Sequence, residues 1–467
     1  GKKMIPLKAS EIAKIVGGEL HGEDLLVTQP PVLNSSDAVE GSLFLALQGE
    51  KVDGHDFAND AFAHGAVVAI TSKPIQGNHI LVSDVTKALG ELAHHVRISL
   101  KNLKVIGITG SQGKTTTKEL LASVLSHAAE TVAPSGNYNN DLGAPISLLR
   151  CTEKTRFCIV EMGARHRGDI ATLAAIARPQ VGVVLKVAAA HIGEFGSIET
   201  IAETKSEMIS SLDESGIAIL GEYDAFTPAM ASLHKGRVIH FGESSTAQVR
   251  ATDIELREGR PHFDLVTPEG RTTVALRQYG LHQISNALAA AAVAHALGIS
   301  TDHIAASLST AEVHARWRME VRELDDLVII NDAYNASPDS MAAALRTLAH
   351  LTQERGGESW AFLGNMRELG ESSDRAHADI ATLAADLGID HLVTVGADSY
   401  LSGVKKDSQL SLHQCGSKAE ALEVAGNINR GDVVLCKASR SDALEELAES
   451  IEKKWQEKLD KEEGENS

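Results

Sequence analysis

The sequence predicts an α/β protein of three units, built mainly on parallel sheets. Three observations carry that expectation. Strand-like apolar runs alternate with helix-period stretches along most of the chain, and that alternation builds parallel sheets covered by helices. At 467 residues the chain exceeds what one hydrophobic core supports, and about three domains follow. Between residues 104 and 125 a short strand, a glycine turn and a helix start succeed one another, the order of a phosphate-binding loop. We expect units at 1–101, 102–314 and 315–467.

The elements follow in order. In the first block a helix over KASEIAKIVG precedes strands at SLFLAL, AVVAIT and HILVS, and TKALGELAHHVRISL closes it as a helix. The second block opens at Lys104, with further strands at RFCIVEMG, VGVVL, GIAILG and RVIHFG. From Gln248 to Gly280 the apolar period becomes two, which predicts an antiparallel meander late in this block. The helix HQISNALAAAAVAHALG comes next. The third block alternates LVIINDAY, WAFLGNM, HLVTVG and DVVLCKAS with helices, a Rossmann-like α/β pattern. Its Lys- and Glu-rich tail, Ile451 to Ser467, reads as a solvated, fraying helix.

A net charge of −19 argues against nucleic acid or an anionic membrane as the main partner, although a local phosphate site stays compatible with it. The four cysteines (Cys151, Cys158, Cys415, Cys436) show no CxxC spacing, so reduced thiols are expected rather than a disulfide frame or zinc site. No leader-like segment and no apolar run of membrane-spanning length is visible, which predicts a cytoplasmic protein.

Chemistry concentrates in a few places. In Thr109-Gly110-Ser111-Gln112-Gly113-Lys114-Thr115-Thr116, backbone N–H groups would cradle phosphates, Lys114 would reach the terminal ones, and Thr115 would hold magnesium. Glu161 ends the next strand, where a carboxylate can share that ion. His191 follows a further strand, and on residue grounds alone it is an ordinary isolated histidine. Lys205, between Glu203 and Glu207 and read as lying opposite Ile201 and Met208, is by default a solvated ion-pair partner. Asn137, Asn139, Asn140 and Asp141 crowd amides and a carboxylate into one loop, more than capping needs, which favours a substrate contact. Asp332, Tyr334 and Asn335 follow the strand LVII, and Arg316 and Arg318 stand at the junction between blocks, where an arginine can be delivered onto a transferring phosphoryl group.

Taken together, GITGSQGKTTTKE, GNYNNDLGAP, VEMGARHRGDI, AAAHIGEFGS, ETKSEM, RWRMEV, NDAYNASPDSM, LGNMRELGE and KASR resemble the Mur ligases in order and spacing over almost the whole chain. The resemblance implies a small UDP-substrate-binding α/β domain, a central P-loop ATPase domain and a Rossmann-like C-terminal domain. NYNND with DAYNASPDSM points within the family to addition of D-alanyl-D-alanine to UDP-N-acetylmuramoyl-tripeptide through an acyl phosphate. ATP and Mg2+ are the implied cofactors and a monomer the implied state. By similarity, Thr115 and Glu161 hold one magnesium. His191 holds a second with Lys205 as a carbamate, and Arg318 joins Lys114 in catalysis. Asn286, Asp332, Tyr334 and Asn335 border the nucleotide. Ser35, Asp53, His55, the Asn137–Asp141 loop, His377 and Lys437 become candidates for the substrates. The chain departs from the family pattern at Ser36, Lys186, Asn365 and Ala438, where Arg, Asn, Asp and Gly are usual. An altered-substrate or non-catalytic ATP-binding relative stays open as an alternative.

Overall fold

Strands form where the chain is apolar on both faces. A computed structural model describes residues 3–111, 114–134, 140–189, 192–313 and 319–465. In the strand Lys104–Thr109, Val105, Ile106 and Ile108 are all fully buried, the pattern of a parallel strand sandwiched between helices. It lies inside a nine-stranded sheet. From one edge the order is Gly270–Ala275, Arg260–Thr267, Val249–Arg257, Arg237–Gly242, Ile217–Gly221, Val181–Val184, Lys104–Thr109, Phe157–Glu161 and Thr131–Val132. From Arg237–Gly242 onward the strands run parallel. The expected meander is present, with antiparallel pairs and alternating burial. It is an extension of the central sheet, because Val249–Arg257 pairs in parallel with Arg237–Gly242. Against one face lie the helices Lys114–Ala128 and Gln283–Ala296, and every residue from Ala287 to Ala294 is fully buried. Small side chains let the second helix approach closely.

The third unit carries six strands in the order Glu320–Leu324, Leu327–Asp332, Val433–Lys437, Ser359–Leu363, His391–Val395 and Ser411–Cys415. All neighbours are parallel except the first pair. The edge strands are half-buried (Glu320–Leu324) or mostly exposed (Ser411–Cys415), so neither has the apolar run that betrays a strand in sequence. The tail differs from expectation. A single helix runs Leu444–Glu465, and Ile451, Trp455 and Leu459 are buried at a spacing of one turn. Trp455 also donates its indole N–H to the Asp325 carbonyl at 3.0 Å.

The first unit has strands Glu19–His21, His79–Leu81, Val68–Thr71 and Leu43–Leu45, parallel but for the first pair. Its hydrophobic core does not end with it. One cluster runs from Met4 and Ile12 through Leu92 and Val96 to Leu148, Ile170 and Met208. The helix Val85–Ser99 makes that junction, and Arg97 locks it by donating to the Ala177 carbonyl at 2.7 Å and the Arg178 carbonyl at 2.8 Å. Those carbonyls end the helix Asp169–Ala177, where a cation suits the helix dipole. Among the described residues no helix is long and apolar enough to cross a membrane.

Candidate active site

Parallel sheets present ligands beyond the carboxyl ends of their strands, and the central sheet does so at Thr109. A Cβ added at Gly110 would lie 2.9 Å from the Leu185 Cβ and 3.3 Å from the Lys186 nitrogen, so only glycine lets the loop pass there. The neighbouring strand end then clamps the loop. Ser111 donates its N–H to the Lys186 carbonyl at 2.9 Å, and the Ser111 hydroxyl accepts the Ala188 N–H at 3.1 Å. Thr109 is fully buried just beneath. A helix starts at Lys114, continues through Thr115 and Thr116, and aims its positive end at the same point.

Cations crowd this point. The Lys114 ammonium is 3.8 Å from one Glu161 carboxylate oxygen, and Lys118 is 3.2 Å from the other. Lys118 went unnoticed in the sequence, although its place one turn after Lys114 on an otherwise buried helix face was legible. Lys205 corrects the sequence reading. It shares a face with Ile201, four residues away, is 6% exposed, and has no carboxylate partner among the described residues. Its expected partners are engaged elsewhere. Glu203 pairs with Arg167 at 2.8 Å, and Glu207 accepts the Gly168 and Ala171 N–H groups at 2.9 and 3.0 Å. Burial, reinforced by the Lys114 charge and opposed by Glu161, pulls the Lys205 pKa down to about 7. The Thr115 hydroxyl and the Glu161 carboxylate are hard oxygen donors beside a phosphate cradle. That set suits magnesium, which keeps water and phosphate oxygens as its other ligands.

A cavity of about 390 Å³ lies between the central and C-terminal sheets, bounded by Lys186, Phe241, His282 and Asn286 on one side and Asp339 and Arg346 on the other, and Lys186, whose carbonyl holds Ser111, connects it to the phosphate loop. Asn286 is held rigidly, accepting from the Thr117 hydroxyl at 3.3 Å and donating to Gln283 at 3.0 Å. Burial holds His282 neutral, with its pKa down at about 4, and its Nδ1 has no hydrogen-bond partner among the described residues. A buried orphan of this kind costs about 1–3 kcal/mol unless a ligand satisfies it. His282 stands one turn before Asn286, which is the signal that could have found it. Tyr334 and Asn335 are exposed and are not among the residues that line this cavity.

Behind them the Lys437 ammonium donates to Asp332 at 2.8 Å and to the Asn335 carbonyl at 2.9 Å, while Asp332 accepts the Met319 N–H at 3.0 Å. Lys437 is 2% exposed. It therefore braces the strand end with two of its three N–H donors. Asp332→Ala, which strands that buried ammonium, is expected to lower stability by about 3–5 kcal/mol, and an unchanged urea midpoint would reject this account.

A second cavity, about 570 Å³, lies between the first and central units and is lined by Ser35, Val52, Phe57, Thr86, Asp141 and Leu142. It unites two of the expected substrate residues, Ser35 and Asp141. Asp53 and His55 are otherwise employed. His55 Nδ1 donates to Asp53 at 2.6 Å and its Nε2 accepts the Ser72 N–H at 3.0 Å, while Lys73 also pairs with Asp53. This set staples a loop. His377 is likewise committed, because Nε2 accepts the Met366 N–H at 3.0 Å and Nδ1 donates to the Ser373 carbonyl at 2.6 Å. It positions the loop after Leu363 from beneath. Gln112, Gly113, Asn137, Asn139, His191 and Arg318 lie outside the described residues, as does the Asn140 side chain.

Family models agree with this layout. The Mur ligase middle domain matches residues 108–294, the Mur ligase glutamate ligase domain 317–440, and the Mur ligase family catalytic domain 32–97. The UDP-N-acetylmuramoyl-tripeptide–D-alanyl-D-alanine ligase of Mycobacterium tuberculosis is 39% identical, over 96% of this chain and 98% of its own. The chain belongs to the Mur ligase family. Among solved Mur ligases, MurF from Acinetobacter baumannii superposes with a TM-score of 0.88 at 35% identity, covering 96% of this chain and 99% of that one. MurF from Thermotoga maritima, crystallised with ADP, gives 0.80 at 30% identity over 92% and 98%. The three α/β units and the phosphate loop are thus those of a Mur ligase that uses ATP.

Proposed function

We propose that this Mur ligase joins D-alanyl-D-alanine to UDP-N-acetylmuramoyl-tripeptide with cleavage of ATP to ADP and phosphate, in cytoplasmic peptidoglycan precursor synthesis, as a monomer with units 1–101, 102–314 and 315–467. The observation that carries this reading is the pair of ammoniums, Lys114 and Lys118, on the Glu161 carboxylate at the phosphate loop, with the buried amine of Lys205 close enough to feel both Lys114 and Glu161. In the first step two anions meet. The terminal carboxylate of the peptide attacks the γ-phosphorus, the bond to the β-phosphate oxygen breaks, and ADP leaves an acyl phosphate behind. The dipeptide amine then attacks the acyl carbon and phosphate departs. Lys114 counters the charge gathering on the transferring group. Thr115 and Glu161 would hold one magnesium, and His191 with carbamylated Lys205 a second. When bound, the metal supplies neutralising charge to the triphosphate. The neutral Lys205 amine can add to the carbon of CO2 and release a proton to solvent, which leaves an anionic carbamate where a cation would otherwise stand. Arg318 is assigned to the transferring phosphoryl group. Ser35 and the Asn137–Asp141 loop face the UDP-linked peptide, and the cavity at Asn286 and His282 takes the adenosine.

A coupled phosphate assay tests the whole reading. Phosphate release is expected only when ATP, the UDP-tripeptide and D-alanyl-D-alanine are all present. Nucleotide binding without release over a panel of amino acids and dipeptides would reject it in favour of a non-catalytic relative.

A further inference from the structure

Lys186 is a cation of the cleft that the chemistry above does not use. Lys186 follows the strand Val181–Val184, and its backbone is pinned on both sides: its carbonyl accepts the Ser111 N–H at 2.9 Å, and the next N–H, of Val187, donates to Asp224 at 3.1 Å. The side chain leaves this rigid base and crosses the cavity. Its ammonium reaches Asp339 of the C-terminal unit at 3.3 Å. Asp339 stands in the first turn of the helix Pro338–Arg355, whose N–H groups already favour its charge. Both partners are partly exposed, 33% and 42%, and such a pair contributes little by itself and exchanges readily. The same cavity wall holds Asn286 and His282, and the base of Lys186 is the residue that clamps the phosphate loop. A nucleotide running from that loop into the cavity passes the Lys186 ammonium, bringing a phosphate, a stronger partner than the solvated carboxylate.

We propose that Lys186 is a nucleotide-responsive clasp: it pairs with a phosphate of the bound nucleoside di- or triphosphate while holding Asp339, and so ties the C-terminal unit onto the occupied central site. This rests on the nucleotide reading above and assigns Lys186 as a positioning residue, with no part in bond making.

The test compares the wild type with Lys186→Met, Lys186→Arg, Asp339→Asn and the Lys186→Met/Asp339→Asn pair, using ADP calorimetry and steady-state kinetics. Lys186→Met is expected to weaken ADP binding and raise the ATP KM by about five- to tenfold with kcat within about twofold, the split that marks lost ground-state binding. Lys186→Arg retains the charge and restores most of the affinity. Asp339→Asn has a smaller effect, and the double variant is no worse than Lys186→Met alone, because both act through one contact. Equal affinity for wild type and Lys186→Met, additive effects in the pair, or a fall in kcat at unchanged KM each overturns the clasp. Absence of ADP binding by the wild type overturns the nucleotide reading itself, so the two failures are distinguishable.

Discussion

Lys114→Ala lowers kcat by about a hundredfold or more, the scale expected when one preorganised charge-stabilising donor is lost from a transfer site. The side chain stands 3.8 Å from Glu161 and is partly exposed, so its removal opens no core cavity and leaves the melting temperature near that of the wild type. Lys118 still holds the other carboxylate oxygen, which keeps Glu161 in place. The loss therefore belongs to the chemistry. A secondary effect accompanies it. Lys114 is one of the charges that depress Lys205, so the variant raises the Lys205 pKa and lowers its neutral fraction near pH 7. Single-turnover phosphate release measures the main effect. Turnover within a factor of a few of the wild type would remove Lys114 from the mechanism.

Turnover also falls as pH drops through about 7, because protonation of Lys205 removes the neutral amine that carbamate formation needs. The sign for stability follows from the same shift. The group's pKa is depressed from 10.5 in the unfolded chain to about 7 when folded, so between those values the unfolded state binds more protons. Stability accordingly rises with pH across that window. Below about 7 both states are protonated and the cost of burying the charge is present in full. Lys205→Met combines the two arguments: it loses turnover by about a hundredfold or more, as loss of a ligand to the catalytic charge requires, yet at pH 7 melts no lower than the wild type. In CO2-depleted buffer the wild type loses turnover and added bicarbonate restores it. A Lys205→Met variant with near-normal kcat, or no response to bicarbonate, would withdraw the assignment.

Which parts of the site could be read in advance follows from the range of the interactions. The phosphate loop was legible because its parts are neighbours in the chain: an apolar strand, a glycine where a Cβ would strike Leu185, and a lysine at the helix start. Glu161 was legible for the same reason, as the polar end of an apolar strand. Its neighbours in sequence make Lys205 read as a solvated partner of Glu203 and Glu207, but Arg167 and the Gly168 and Ala171 amides already occupy those carboxylates. Residue type alone offers His55, His377 and Lys437 as substrate contacts. A backbone N–H of Ser72, another of Met366 and the carboxylate of Asp332 claim them instead, and residue type says nothing about such claims.

Local order thus determined the class of the protein by itself. Alternating strands and helices, one glycine turn and the residues at strand ends name a three-unit α/β protein that binds a nucleoside triphosphate, because backbone sterics and helix dipoles act over a few residues; that it is a ligase is what the order and spacing of the family motifs imply. Only the tertiary structure decided which charges are real. The Lys205 pKa is pulled down to about 7 because helix Ile198–Ser210 buries it, and Lys186 faces Asp339 because two sheets meet there. Desolvation and ion pairing depend on groups brought together from distant parts of the chain, and those distances are set by packing alone.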